Sequence, residues 1–185
     1  MKKLFIIGIL LQTIGQLFFS IPSSQINLLE PIDFIHWTLL IGFVLVIPYV
    51  LQFSIGWFQK IGATFSLMGL ICLICMCAID FVLWSFRELP EERNELIAHI
   101  MNEPMIWPVF FTIGPAFYYT GMSIQSLAYL KSKLIPALLV IIGATLVGLG
   151  GLIFTENRVI FMIGKILFGG GLIYLCVLLS PDLEK

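Results

Sequence analysis

Charge is what this sequence has least of. Only 11% of its 185 residues are charged, and the formal net charge is −1. A nucleic-acid footprint needs a clustered basic face, so that class of partner is excluded. Histidine is reduced to His36 and His99, without the residue spacing of a metal site, so no metal or cofactor is expected. Long polar stretches are also missing. Soluble domains carry about 25% charged and about 45–50% apolar residues. Here the hydrophobic share is 59% and the mean hydropathy is +1.05. That balance excludes an ordinary soluble domain and predicts a chain that sits in a lipid bilayer.

Six apolar segments stand out, near 4–21, 35–57, 61–86, 105–129, 134–154 and 159–179. A spanning helix uses about 20 apolar residues, so six of them leave room only for tails and short loops. Continuous runs favour helices over barrel strands, which are about ten residues long and alternate in polarity. The expected fold is therefore all-α, a single polytopic bundle of six transmembrane helices over 1–185. The opening Met1-Lys2-Lys3 could begin a cleaved signal peptide. Gln12 and Gln16 interrupt the run, and no small-x-small cleavage site follows, so a retained first helix is expected.

Orientation follows from lysine and arginine in the short loops. With the N-terminus inside, Lys2, Lys3, Lys60, Lys131, Lys133 and Lys185 fall on the inner side, and Arg87, Arg93 and Arg158 on the outer. Both termini are then cytoplasmic, in a multi-pass protein of the plasma or inner membrane. Trp37, Trp57, Trp84 and Trp107 lie near span ends, where an aromatic belt forms. The outer stretch 87–104 reads as a short amphipathic helix. Pro90 suits its first turn, Glu91 and Glu92 its positive end, and Leu89, Leu96, Ile97, Ile100 and Met101 one apolar face. It would rest on the interface or act as a lid or an acidic docking element for a protein partner.

The two halves carry a weak repeat. Ile61-Gly62 followed by Gly69-Leu70-Ile71 matches Ile163-Gly164 followed by Gly171-Leu172-Ile173 in spacing. Leu39-Leu40-Ile41-Gly42 likewise resembles Val140-Ile141-Ile142-Gly143. Three spans per half would make this a 3+3 inverted repeat, an arrangement that builds many transporters.

Intramembrane ionisable residues are costly and usually face the bundle interior with a partner. Asp80 lies about six residues before the outer end of the third segment, roughly 9 Å deep at 1.5 Å per residue. Lys165 lies at matching depth in the sixth, so an Asp80–Lys165 ion pair is expected. Helical spacing puts Ser66, Gly69, Leu73, Cys77, Asp80, Trp84 and Arg87 on one face. It does the same for Gly8, Gln12, Gln16 and Phe19, for Gly114, Tyr118, Gly121 and Gln125, and for Arg158, Met162, Lys165, Gly169 and Cys176. Such stripes serve packing, or they line an outward-open polar cavity of Gln12, Gln16, His36, Asp80 and Lys165. Pro48, Pro108 and Pro115 fall inside segments, where they kink helices or free carbonyls for a ligand.

Enzyme motifs fail. Cys72-x-x-Cys75 lies near mid-membrane, and Cys77 and Cys176 are equally buried in apolar runs, where thiols act as small hydrophobes. Gly121-Met122-Ser123 is not a nucleophile elbow, and no histidine follows it. Glu91-Glu92-Arg93 lacks the spacing and histidine helix of an intramembrane protease. The leading expectation is a small-solute or ion permease with its site at Asp80 and Lys165. The alternatives are a scaffold or sensor that binds a partner through 87–104, and a lipid-modifying enzyme that uses Asp80, His36 or His99.

Overall fold

The computed structural model describes residues 1–18, 33–52, 56–153 and 158–179. Among them every regular element is helical: α1 (Lys2–Phe18), α2 (Phe34–Gln52), α3 (Trp57–Ser85), α4 (Pro90–Asn102), α5 (Gly114–Leu127), α6 (Leu134–Leu152) and α7 (Arg158–Leu179). Four stretches are long and apolar enough to cross a membrane: Phe34–Gln52, Trp57–Ser85, Leu134–Gly151 and Arg158–Leu179. Phe19 and the polar stretches Pro22-Ser23-Ser24 and Thr155-Glu156-Asn157 lie outside the described residues.

Two boundaries differ from expectation. Gln59-Lys60 is no turn. Trp57 and Phe58 precede it, and α3 starts at Trp57 and runs through it. The fourth apolar segment is not one α-helix. A π-helical turn, Pro108–Ile113, precedes α5, and Gly114 N–H donates to the carbonyl of Val109, five residues back. Pro115 has no N–H to give, and the wider π register absorbs that missing donor at the junction.

The six long helices close into a ring. Around it the order is α1, α2, α3, α5, α6, α7 and back to α1, and each helix's backbone contacts are with its two neighbours. The outside of the ring is apolar: Ile7, Ile14, Ile41, Val44, Ile71, Ile142, Ile166 and Val177 are all exposed. An exposed apolar girdle of this extent is stable against lipid rather than water. Among the described elements the short α4 touches α3 alone. Its Leu96, Ile97 and Ile100 turn inward while Leu89 and Met101 stay exposed.

Alternate seams of the ring are built differently. Three are pinned by facing glycines. A methyl group on Gly8 would lie 2.8 Å from Gly42 O, and one on Gly42 would lie 2.9 Å from Gly8 O. Gly62 and Gly121 face each other in the same way, at 2.8 Å and 2.6 Å, as do Gly143 and Gly164, at 2.8 Å and 3.0 Å. Small residues let membrane helices approach until their backbones touch, and each dyad fixes one antiparallel hairpin: α1–α2, α3–α5 and α6–α7. The seams α2·α3, α5·α6 and α7·α1 have no such dyad and close through side chains.

This pairing does not follow the 3+3 inverted grouping. That symmetry would carry the glycine seam α1·α2 onto α5·α6, which has none. The matching intervals have a simpler cause. Gly8 and Gly15, Gly62 and Gly69, Gly114 and Gly121, Gly143 and Gly150, and Gly164 and Gly171 all stand one heptad apart. Seven residues is the repeat that keeps one seam facing a neighbouring helix.

Candidate functional site

The ring is filled, and Tyr118 is its hub. The side chain is 1% exposed. It projects from α5, and its hydroxyl donates to Gln12 Oε1 on α1 at 2.8 Å. Its ring meets Phe43 on α2 edge-on, with centroids 6.3 Å apart, and Phe168 on α7, with centroids 5.7 Å apart. Gln12 is locked in turn, because its Nε2 donates to Gly42 O at 3.0 Å. One phenol thus ties four helices across the ring.

Lys165 stands beside that hub. It is 6% exposed, and its Nζ donates to the phenol oxygen of Tyr119. The same nitrogen lies 4.6 Å from the ring centroids of Tyr119 and Phe161, within cation–π range. No carboxylate pairs with it among the described residues. A small cavity of about 10 Å³ adjoins it, lined by Gln12, Thr13, Gln16, Tyr119, Lys165 and Gly169 among others. Gly169 makes room for it: a methyl group there would run into the Thr13 hydroxyl, which donates to Ile9 O at 2.8 Å. A shallower groove of about 280 Å³ opens at the α5·α6 seam, lined by Tyr119, Thr120, Ser123, Ala144 and Thr145. Tyr119 therefore borders both spaces.

The expected Asp80–Lys165 pair does not form. Depth places a residue in a layer, whereas pairing also needs reach, and the short Asp80 side chain does not cross a ring in which α3 and α7 stand opposite each other. Asp80 instead accepts from His36 Nε2 at 3.0 Å across the α2·α3 seam. The other ring nitrogen, Nδ1, meets Asp33 Oδ2. Asp33 also accepts the His36 backbone N–H at 3.2 Å, the N-cap bond of α2, and is 3% exposed. His36 is thus held between two carboxylates, and the Trp37 and Phe81 rings pack beside it in a tilted pair, with centroids 4.9 Å apart. The two carboxylates address opposite sides of one imidazole and do not converge on a point. Accordingly no group of three His, Cys, Asp or Glu side chains among the described residues can hold a metal ion.

Of the five residues singled out from sequence, Gln12, Gln16 and Lys165 share one cavity, while His36 and Asp80 form a separate cluster. Two participants were missed. Asp33 sits in a stretch read as a loop, and its place just before an apolar run is the signature of an N-cap. Tyr119 is one position off the Gly114–Tyr118–Gly121 stripe, a rotation of about 100° that turns it toward α7. Comparison with protein-family models, with curated proteins and with solved structures finds no match.

Proposed function

We propose that the chain is a six-span cell-membrane permease for a small solute, with the Lys165 cavity as its solute site and both termini cytoplasmic. The observation that carries this reading is a lysine buried inside a helix ring, beside a cavity and without a carboxylate partner among the described residues. Buried intramembrane charges that are kept despite their cost tend to mark solute or ion pathways. A lysine kept for packing alone would be better served by an apolar residue of similar length.

In this reading α1 and the run from Pro108 through α5 complete the six crossings. α1 has 17 residues, enough for about 25 Å at 1.5 Å per residue. Lys60 in the first turn of α3 and Lys131 and Lys133 between α5 and α6 then lie on the inner side. The α6–α7 hairpin is bounded on both sides by side-chain seams, α5·α6 and α7·α1, and Lys165 rides on it. Rocking of that hairpin as a rigid unit would expose the cavity, as packed bundles move in many transporters. Tyr118 holds the closed state.

The scaffold reading draws on α4, which packs on α3 and exposes Glu91, Glu92 and Glu95. It leaves the buried lysine without a purpose. The test is flux in proteoliposomes, over a panel of small anions, cations and neutral solutes. At least one solute is expected to cross about tenfold faster than in protein-free vesicles, a difference of about 1.4 kcal/mol in barrier. If every solute crosses at the protein-free rate, the permease reading fails.

A further inference from the structure

We infer that the cavity beside Lys165 takes one small monoanion of halide size. The inference names the substrate class of the site proposed above and rests on that reading only for the step of transport. Its basis is a count of donors and acceptors. An ammonium carries three N–H donors. One meets the Tyr119 oxygen. The remaining two have no acceptor among the described residues and face aromatic rings. Because the Tyr119 oxygen accepts from Lys165, its own O–H is left as a further donor, also without an acceptor there. On the far wall, Gln12 Nε2 spends one hydrogen on Gly42 O and keeps a second. Donors from α1, α5 and α7 therefore border one small space that no carboxylate enters.

Charge and size then select the occupant. A cation would be repelled by Lys165. A neutral solute would leave the lysine charge uncompensated in a low-dielectric interior. The cavity volume of about 10 Å³ is room for about one water-sized body. Carboxylates with an alkyl chain, sulfate and phosphate are too large, whereas a halide ion needs only a small yielding of the Ile9 and Thr13 wall. Lys165 supplies the charge, and Tyr119 is a positioning and donor residue that turns the ammonium toward the cavity.

The test is ³⁵Cl line broadening on the purified, full chain in detergent, titrated with sodium chloride against sodium gluconate at constant ionic strength. Saturable broadening is expected for the wild type, displaced by bromide and not by sulfate. Tyr119→Phe keeps the ring and the packing and is expected to weaken chloride several-fold. Lys165→Met is expected to remove the saturable component. Lys165→Arg covers the case in which methionine disturbs folding, and its bulkier head is expected to change the order of preference among halides. Absence of saturable broadening in folded wild-type protein means the cavity holds water only and overturns the inference. Unchanged broadening in a folded Lys165→Met variant overturns it equally. Chloride binding without flux of any solute would sink the permease reading and leave the anion site standing. Flux of a neutral solute without anion binding would do the reverse.

Discussion

Lys165→Met is expected to abolish solute flux and, at the same time, to leave the protein at least as stable as the wild type. The two effects have one origin. Lys165 is buried without a carboxylate partner among the described residues, and its contacts are a phenol oxygen and two aromatic faces. Methionine is unbranched and only one heavy atom shorter, and it removes the cost of desolvating an ammonium. Exchanging buried ionic groups for well-packed apolar ones is neutral or stabilising by about 1–4 kcal/mol. Against that gain stands Tyr119, whose hydroxyl loses its partner, at a cost of about 1–3 kcal/mol if it stays dry. The single variant should therefore show a small change in melting temperature, and Lys165→Met combined with Tyr119→Phe a clear rise. Flux should fall at least about tenfold in both. A residue retained for stability would behave in the opposite way, losing melting temperature along with any activity. Thermal unfolding in detergent, read beside vesicle flux on the same preparation, separates the two.

Gly69→Ala should be among the most damaging single substitutions in the chain. A methyl group there would collide with the backbone of Tyr118 and would lie 2.7 Å from Gly114 O. Backbone on the facing helix cannot step aside as a side-chain tip can, so α3 and α5 must separate. Overpacking a core costs about 1–3 kcal/mol and occasionally more. The upper end applies here, because the displaced segment carries the hub. Moving Tyr118 strains its bond to Gln12 and its contacts with Phe43 and Phe168, which extends the damage to α1, α2 and α7. Gly148→Ala and Gly170→Ala are the matched controls, since a methyl group at either position meets nothing within 4 Å. Alanine is also the better helix former by about 1 kcal/mol, so the controls should be neutral or slightly stabilised. Size-exclusion profiles and melting temperatures of the three variants give the comparison.

The contrast between those glycines marks where sequence reasoning stops. Heptad spacing puts Gly62 with Gly69 and Gly114 with Gly121 on single faces, and periodicity shows as much. Whether a glycine face meets another backbone or lipid depends on which helices are neighbours, and periodicity is silent on that. The same limit explains Asp80 and Lys165. Counting residues from span ends assigns both to one depth, but the ring sets α3 and α7 on opposite sides and gives Asp80 to His36. Gln12, Gln16 and Lys165 do share a cavity, because their helices α1 and α7 are adjacent in the closed ring. Tyr118 was visible as part of a stripe, yet its role as a four-helix tie comes from its length reaching across a ring whose radius no local pattern encodes. The equal intervals that resembled an inverted duplication are the same heptad geometry, which recurs in all three hairpins.

The account turns on motion at the α7·α1 seam, and a reversible staple across that seam tests it most directly. A Cβ on residue 169 would stand 3.5 Å from Thr13 Cβ, within the span of a disulfide, about 3.5–4.5 Å. Thr13→Cys with Gly169→Cys, in a background where Cys72, Cys75, Cys77 and Cys176 are replaced by alanine, provides the pair. Flux of the transported solute is then measured in one proteoliposome preparation before and after oxidation, and again after reduction. Two thiols at the cavity wall are expected to lower flux in the reduced protein; the account predicts that the flux remaining there is lost once the bridge has formed and recovers on reduction. Equal flux with the bridge complete would contradict it, because solute would then be crossing without any opening at the seam that holds Lys165.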